Sequence, residues 1–295
     1  MKKGLKNFLV LIFLISYSLI LIFSQKYIEN YFFAYMAEPL FNITELKIPE
    51  EKPKPEIDAK SVISLKIGKR EKLLLEKSGE EVLPIASLTK LMTAIIVLEN
   101  YDLSDSIKTS KMAAEQEDVP NYGNLNAKEV FSVKKLLNLV LVYSSNDAAY
   151  ALAEKMEVEN FVEKMNQKAK EIRMEKTIFF NPTGLKDGDL NVSSVDDLSK
   201  MVKYILKERP EIFEMTKAGG VYEVQNSIFD IKLSEGEKLV GGKTGYLPEI
   251  GGCMIYVFEY ENDILFINII LGTKSVGERV NQMQKLIDWI NYGKL

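Results

Sequence analysis

The sequence predicts an α+β protein, an antiparallel sheet assembled from both ends of the chain with a helical lobe inserted between its parts. Three observations carry this. Two strand-like runs, Val62 to Ile67 and Leu73 to Lys77, open the globular part around a turn at Gly68 to Glu71. Segments of helical period then fill the middle of the chain. The last third returns to strand-like runs and closes on one helix, and strands segregated from helices in this way mark an α+β fold.

In order, the run from Ser87 through Leu88, Leu91, Met92, Ile95, Ile96 and Leu98 is apolar nearly all round from Leu91 onward. Such a helix is buried on most sides and belongs at the centre. Ser132 is a good N-cap for a helix over Val133 to Tyr143. A break at Ser144-Ser145-Asn146 precedes a second helix from Asp147 to Met156, and Phe161 to Met174 and Val195 to Lys207 read as amphipathic helices. Tyr222 to Ile231, Leu239 to Thr244, Met254 to Tyr260 and Ile264 to Leu271 read as strands, and Val276 to Asn291 as the closing helix. No internal repeat is visible.

The N-terminus sets the expected compartment. Lys2, Lys3 and Lys6 precede an apolar run from Phe8 to Phe23 that only Ser16 and Ser18 interrupt. Positive charge before such a run predicts a cytoplasmic N-terminus and an exported remainder. The run is short for a span, and Tyr27 to Met36 extends its apolar character. Residues 1–25 are therefore expected to be a signal anchor forming a transmembrane helix, with a cleaved and secreted form as the alternative. Residues 26–56 are a spacer ending in charges and prolines, which favour an extended linker. Residues 57–295 form the single globular domain.

Composition excludes several chemistries. The chain of 295 residues contains no histidine, so Ser-His-Asp and Cys-His mechanisms and imidazole-bound zinc are ruled out. A hydrolytic base must be lysine, carboxylate or tyrosine. The formal net charge of −4 gives no reason to expect a nucleic-acid partner. The single cysteine, Cys253, cannot form an internal disulfide and reads as a small buried apolar residue. No cofactor or metal is expected.

Three short motifs carry the chemistry: Ser87-Leu88-Thr89-Lys90, Ser144-Ser145-Asn146 and Lys243-Thr244-Gly245. Ser87 and Lys90 are three apart at the start of a helix, so their side chains share one face. A helix N-terminus offers free N–H groups to an oxyanion. Lys90 can accept the serine proton only when neutral, and burial beside a second cation such as Lys243 would lower its pKa. Each motif alone is weak. A second Ser-x-x-Lys at Ser132 to Lys135 falls on a plain amphipathic helix, where Ser132 reads as a cap and Lys135 as a solvated charge. Ser144 to Asn146 alone would pass as an inter-helix turn with Asn146 as a cap, and Lys243-Thr244-Gly245 as a strand end. Their order and wide spacing are the signal.

The trio is a signature of β-lactamases and penicillin-binding proteins. The segment Pro84-Ile85-Ala86-Ser87-Leu88-Thr89-Lys90-Leu91-Met92-Thr93-Ala94 resembles the nucleophile segment of the low-molecular-mass D-alanyl-D-alanine carboxypeptidases. Ser144 to Ala149, Asn181-Pro182-Thr183-Gly184-Leu185, Asn191 to Ser194 with Asp197-Leu198, and Gly242 to Tyr246 resemble further segments of that family. The resemblance runs from Ile57 to Trp289. It implies a β-lactamase/transpeptidase-like fold and a peptidoglycan stem peptide ending in D-Ala-D-Ala as substrate, with β-lactam antibiotics as covalent inhibitors. It implies Ser87 as nucleophile, Lys90 as its proton acceptor, and Ser144 with Lys243 as the relay to the departing D-alanine. It implies Asn146 on the substrate amide, and Lys243 and Thr244 on the terminal carboxylate. It further implies an oxyanion hole at the Ser87 and Tyr246 N–H groups, following Gly245, and carboxylate support from Arg279, for which an exposed helix arginine is the alternative.

Two features depart from the family. Leu247-Pro248 stands where a small hydroxyl residue is usual after the third motif. Many members also carry a second β domain and a C-terminal amphipathic helix, and here six residues follow Trp289, so the N-terminal segment is expected to supply the anchor. Rival expectations are a β-lactamase or a D,D-endopeptidase of the same fold and, from another class, a non-catalytic cell-wall or penicillin-sensing domain. Against the β-lactamase, Glu159, Glu163, Glu171 and Glu175 read as solvated charges on helix faces, not as a deacylating base.

Overall fold

The computed structural model describes residues 16–21, 24, 53–116, 124–186, 188–217, 227–261 and 263–291. The chain divides into two compact units, Met1–Leu46 and Lys47–Leu295. In the first, residues 16–21 are helical, and Ser24 Oγ donates to the Leu21 carbonyl at 2.9 Å. Most of the predicted signal anchor lies outside the described residues, among which no helix is long and apolar enough to cross a membrane.

The second unit is built on a five-stranded antiparallel sheet in the order β2-β1-β9-β8-β7. Its strands are β1 (Ser61–Ile67), β2 (Glu71–Lys77), β7 (Glu237–Leu247), β8 (Gly251–Tyr260) and β9 (Ile264–Thr273). β1, from the start of the domain, pairs with β9 from its end (Ser61↔Leu271 through Ile67↔Leu265). The sheet is thus joined from both chain ends, as the segregation of strands predicts. β8 is buried at successive positions from Gly252 to Phe258, so both faces of the sheet are covered.

The intervening chain forms β3 (Leu83–Pro84), α1 (Thr89–Asn100), β4 (Ser106–Lys108), β5 (Val130–Ser132), α2 (Val133–Val142), α3 (Asn146–Glu154), α4 (Val158–Glu171), β6 (Val192–Ser193), α5 (Val195–Glu208) and α6 (Glu211–Lys217); α7 (Val276–Asn291) closes the fold. α1 is buried at every residue from Thr89 to Val97. It is the central helix that its all-round apolarity requires, and α2, α3 and α4 pack against it. α5 and α7 both pack on the sheet. Ser132 caps α2 by accepting from the Lys135 N–H, and the Lys135 side chain is exposed. The second Ser-x-x-Lys is therefore a helix start.

Three local details add to this reading. The cap of α3 is Ser145, whose Oγ accepts from the Ala148 N–H at 3.1 Å, so Asn146 is released from capping. Of the strand predicted over Tyr222 to Ile231, residues 222–226 lie outside the described residues, and Ser227–Asp230 is a single 3₁₀ turn. The last residues of the predicted spacer are bound to α7. Trp289 Nε1 donates to the Pro53 carbonyl at 2.9 Å and Lys285 Nζ to that of Glu56 at 2.6 Å.

Candidate active site

Ser87 sits half-buried in a 3₁₀ turn, Ala86–Leu88, that runs into α1. Ala86 carries φ +47°, an uncommon value for a residue with a side chain. Strain of this kind, of order 1–3 kcal/mol, persists only where the surroundings enforce it. Two glycines do so. A methyl group on Gly184 would lie 2.0 Å from the Ala86 carbonyl oxygen, and one on Gly245 would lie 3.0 Å from both Ala86 Cβ and Ser87 N. Gly184 adopts φ +84°, so the residue is needed for conformation as well as for space.

Lys90, one turn into the helix, is fully buried. Its Nζ lies 2.8 Å from Ser87 Oγ, 2.6 Å from Asn146 Oδ1 and 2.7 Å from the Thr183 carbonyl. These acceptors satisfy an ammonium. The neutral amine can instead accept from the serine hydroxyl while still donating to Asn146 and Thr183, so one arrangement of heavy atoms serves both protonation states.

Ser144 also adopts positive φ, +60°, in the turn between α2 and α3. Its Oγ accepts from Lys243 Nζ at 2.8 Å, and the same Nζ reaches the Thr244 carbonyl at 3.0 Å. Lys243 is 2% exposed. Burial first, then the charges of Lys90 and Arg279, hold its ammonium well below the usual lysine range.

Thr244 is half-buried, and Tyr246 is 47% exposed at the mouth of the cleft. Arg279, expected on α7 with an exposed position as the alternative, is 4% exposed, and its Nη1 donates to the Gly245 carbonyl at 2.8 Å. Burial lowers its pKa from the ordinary arginine value. Cys253 is buried and unbridged, and burial pushes its thiol up to about 11, which leaves it inert.

The three motifs thus meet in one cleft. The structure adds residues to which the sequence alone assigns no role. Asn181 Oδ1 accepts from the N–H groups of Thr183 and Gly184 at 3.1 and 2.7 Å. Asn191 Oδ1 accepts from the Phe180 and Asn181 N–H groups at 2.6 and 3.2 Å, and its Nδ2 donates to Thr89 Oγ1 at 3.0 Å. Thr93 Oγ1 donates to the Pro182 carbonyl at 2.6 Å. This buried network holds the 181–185 loop against α1 and presents the Thr183 carbonyl to Lys90. The sequence signal was the cluster of Asn, Pro and Gly between two helices.

The fold is shared with solved penicillin-binding proteins. It superimposes on penicillin-binding protein D2 of Listeria monocytogenes, described in its cefotaxime-bound form, with a TM-score of 0.69 at 28% identity over 81% of this chain and 99% of that one. The class is that of the transpeptidase-like penicillin-binding proteins. Residues 48–275 match the peptidase S11 family, described as D-alanyl-D-alanine carboxypeptidase, and the chain belongs to that family. It is 33% identical over 235 residues to the D-alanyl-D-alanine carboxypeptidase DacF of Bacillus subtilis, covering 74% of this chain and 58% of that protein. It is 28% identical over 254 residues to a D-alanyl-D-alanine endopeptidase of Escherichia coli, covering 82% of this chain and 80% of the relative. The chain thus spans less than two thirds of the length of the Bacillus protein.

Proposed function

We propose that the protein is a serine-type D-Ala-D-Ala carboxypeptidase that removes the terminal D-alanine from peptidoglycan stem peptides. The observation that carries this is the placement of Lys90 Nζ 2.8 Å from Ser87 Oγ while Lys243 Nζ lies 2.8 Å from Ser144 Oγ. Ser87 Oγ attacks the carbonyl of the penultimate D-alanine and passes its proton to the neutral Lys90 amine. The oxyanion is held by the Ser87 and Tyr246 N–H groups. Ser144, bonded to Lys243, relays that proton to the departing amine as the C–N bond breaks, leaving an ester on Ser87 and Lys90 neutral again. Water then releases the acyl group. Lys243 and Thr244 take the terminal carboxylate, with Arg279 behind them on Gly245. Asn146, whose Oδ1 accepts from Lys90 Nζ at 2.6 Å, bonds the substrate amide.

β-Lactams mimic this substrate and acylate Ser87, in keeping with the cefotaxime-bound Listeria relative. The acids Glu159, Glu163, Glu171 and Glu175 are all exposed, three on α4 and Glu175 in the turn after it, which supports a slowly released adduct over β-lactamase activity. Lys2, Lys3, Lys6 and the run Phe8 to Phe23 support anchoring in the membrane with the catalytic domain outside. A D,D-endopeptidase activity on cross-linked peptides is the second reading, favoured by the similarity to the Escherichia coli endopeptidase.

The test is release of D-alanine from a pentapeptide ending in D-Ala-D-Ala by the detergent-solubilised full chain. Activity is expected in the wild type and absent in Ser87→Ala. Equal activity in both proteins would count decisively against the proposal.

A further inference from the structure

Besides Ser87 Oγ at 2.8 Å, Lys90 Nζ meets two oxygens that can only accept, the Thr183 carbonyl at 2.7 Å and Asn146 Oδ1 at 2.6 Å. A neutral amine carries two N–H groups and one lone pair, set tetrahedrally about the nitrogen. With one N–H directed to each acceptor, the direction left for the lone pair is the serine hydroxyl. The Thr183 carbonyl therefore does more than hold the lysine in place. It decides which side of the nitrogen Ser87 meets.

That carbonyl is turned toward Lys90 from the far side of its own peptide. The carbonyl of Thr183 and the N–H of Gly184 belong to one planar unit, and in a trans unit, as this one is, they point opposite ways. Asn181 Oδ1 accepts from the Gly184 N–H at 2.7 Å and from the Thr183 N–H and Oγ1 at 3.1 and 3.0 Å. Fixing the N–H on one side fixes the carbonyl on the other. Asn181 is itself clamped. Its Nδ2 donates to the Leu185 carbonyl at 2.9 Å, and the buried Asn191 side chain accepts from its N–H at 3.2 Å and donates to its carbonyl at 2.8 Å. The Asn191 backbone carbonyl accepts from the Ile85 N–H at 3.1 Å, which ties the loop to the chain entering the Ser87 turn.

We infer that Asn181 is a positioning residue for acylation, acting through the Thr183 carbonyl to aim the lone pair of Lys90 at Ser87. Such a role exists only if Lys90 is the proton acceptor, and so rests on that reading. The terminal carboxylate falls to Lys243 and Thr244 on β7, which Asn181 does not hold. Its loss therefore acts on the rate of acylation and leaves ligand affinity alone.

The experiment is a double-mutant cycle on the detergent-solubilised full chain. It reads the saturating rate of Ser87 acylation by labelled penicillin and the penicillin concentration at half-saturation. Asn181→Ala should lower the rate roughly 10²-fold, the scale of a misaimed reacting group, with half-saturation within about 2-fold of wild type. In a Lys90→Met background there is no lone pair to aim, and the same substitution should change the rate by less than about 2-fold. Asn181→Ser keeps an oxygen that bonds the turn more weakly and should recover part of the rate. It also carries the cycle if the alanine variant does not fold. An unchanged rate in Asn181→Ala, or equal slowing in both backgrounds, overturns the inference alone. So does a wild-type rate reached by a smaller labelled fraction, the mark of a loosened fold. Lys90→Met acylating as fast as wild type overturns the reading of Lys90 and this inference with it.

Discussion

Arg279 Nη1 donates to the Gly245 carbonyl at 2.8 Å, so the closing helix grips the strand that carries the third motif at the point where it touches the turn of Ser87. The guanidinium also adds its charge to the field at Lys243, after burial and Lys90. Lys243 has to be an ammonium to hold a carboxylate. Since its pKa is lowered, kcat/KM should fall with rising pH well below the ordinary lysine value near 10.5. In Arg279→Gln one of the lowering charges is gone, so this alkaline limb moves to higher pH while the plateau drops roughly 10-fold. A pH profile of D-alanine release checks both signs.

Lys90→Met removes the proposed proton acceptor while keeping a long buried side chain. Acylation of Ser87 by labelled penicillin should slow by about 10²- to 10⁴-fold, the usual contribution of general base catalysis. The thermal midpoint should fall by the loss of the bonds to Asn146 and the Thr183 carbonyl, a far smaller effect than that on acylation. Stopped-flow acylation and calorimetry on one preparation separate the two effects.

Gly184 and Gly188 both have positive φ, +84° and +75°, but only Gly184 has a neighbour in the way. Gly188→Ala should cost about 1–2 kcal/mol, the strain of the left-handed backbone alone. Gly184→Ala must also displace the Ala86 carbonyl and should cost roughly 3–5 kcal/mol. Because that carbonyl precedes Ser87, the Gly184 variant should also lose acylation. Urea unfolding read beside penicillin labelling distinguishes them.

The penicilloyl adduct at Ser87 should persist for minutes or longer, since none of Glu159, Glu163, Glu171 and Glu175 is buried toward the cleft. Intact-protein mass spectrometry after removal of excess penicillin follows its decay. Turnover at many per second would show that a deacylating base lies elsewhere.

Sequence patterns located most of the architecture because each long element carries its own period. Val276–Asn291 matches its predicted bounds, and the all-round apolarity from Leu91 onward placed α1 at the centre. Short elements were less legible. α6 follows Pro210, a good helix-start residue, but its seven residues are too few for a periodic signal. Ser227–Asp230 carries strand-forming residues, yet forms a 3₁₀ turn in which Ile228 is buried. In the site, residue types at fixed spacing identified Ser87, Lys90, Ser144 and Lys243 as candidates. The Thr183 carbonyl could not be found that way, since every residue has a carbonyl and only the Asn181 and Asn191 bonds aim this one. Arg279 was ambiguous for a related reason: its neighbours on the helix do not reveal that Gly252, on a distant strand, leaves room for its Cβ.

The pairing of β1 with β9 has a consequence for the order in which the molecule can be completed. Ser64 Oγ meets Asn268 Oδ1 at 2.7 Å across 204 residues of chain, in the interior of the sheet. Contacts of such separation form late, because the intervening loop must close before they gain anything. Until the C-terminal third has emerged, the β1–β2 hairpin is unpaired on the β1 flank as well as on its β2 edge, and Lys243 has no strand to ride on. A chain halted before β9 would therefore have no assembled cleft and would offer β1 as an open edge for other strands. Acylation of Ser87, on the proposed mechanism, would thus also report that the last strands have arrived.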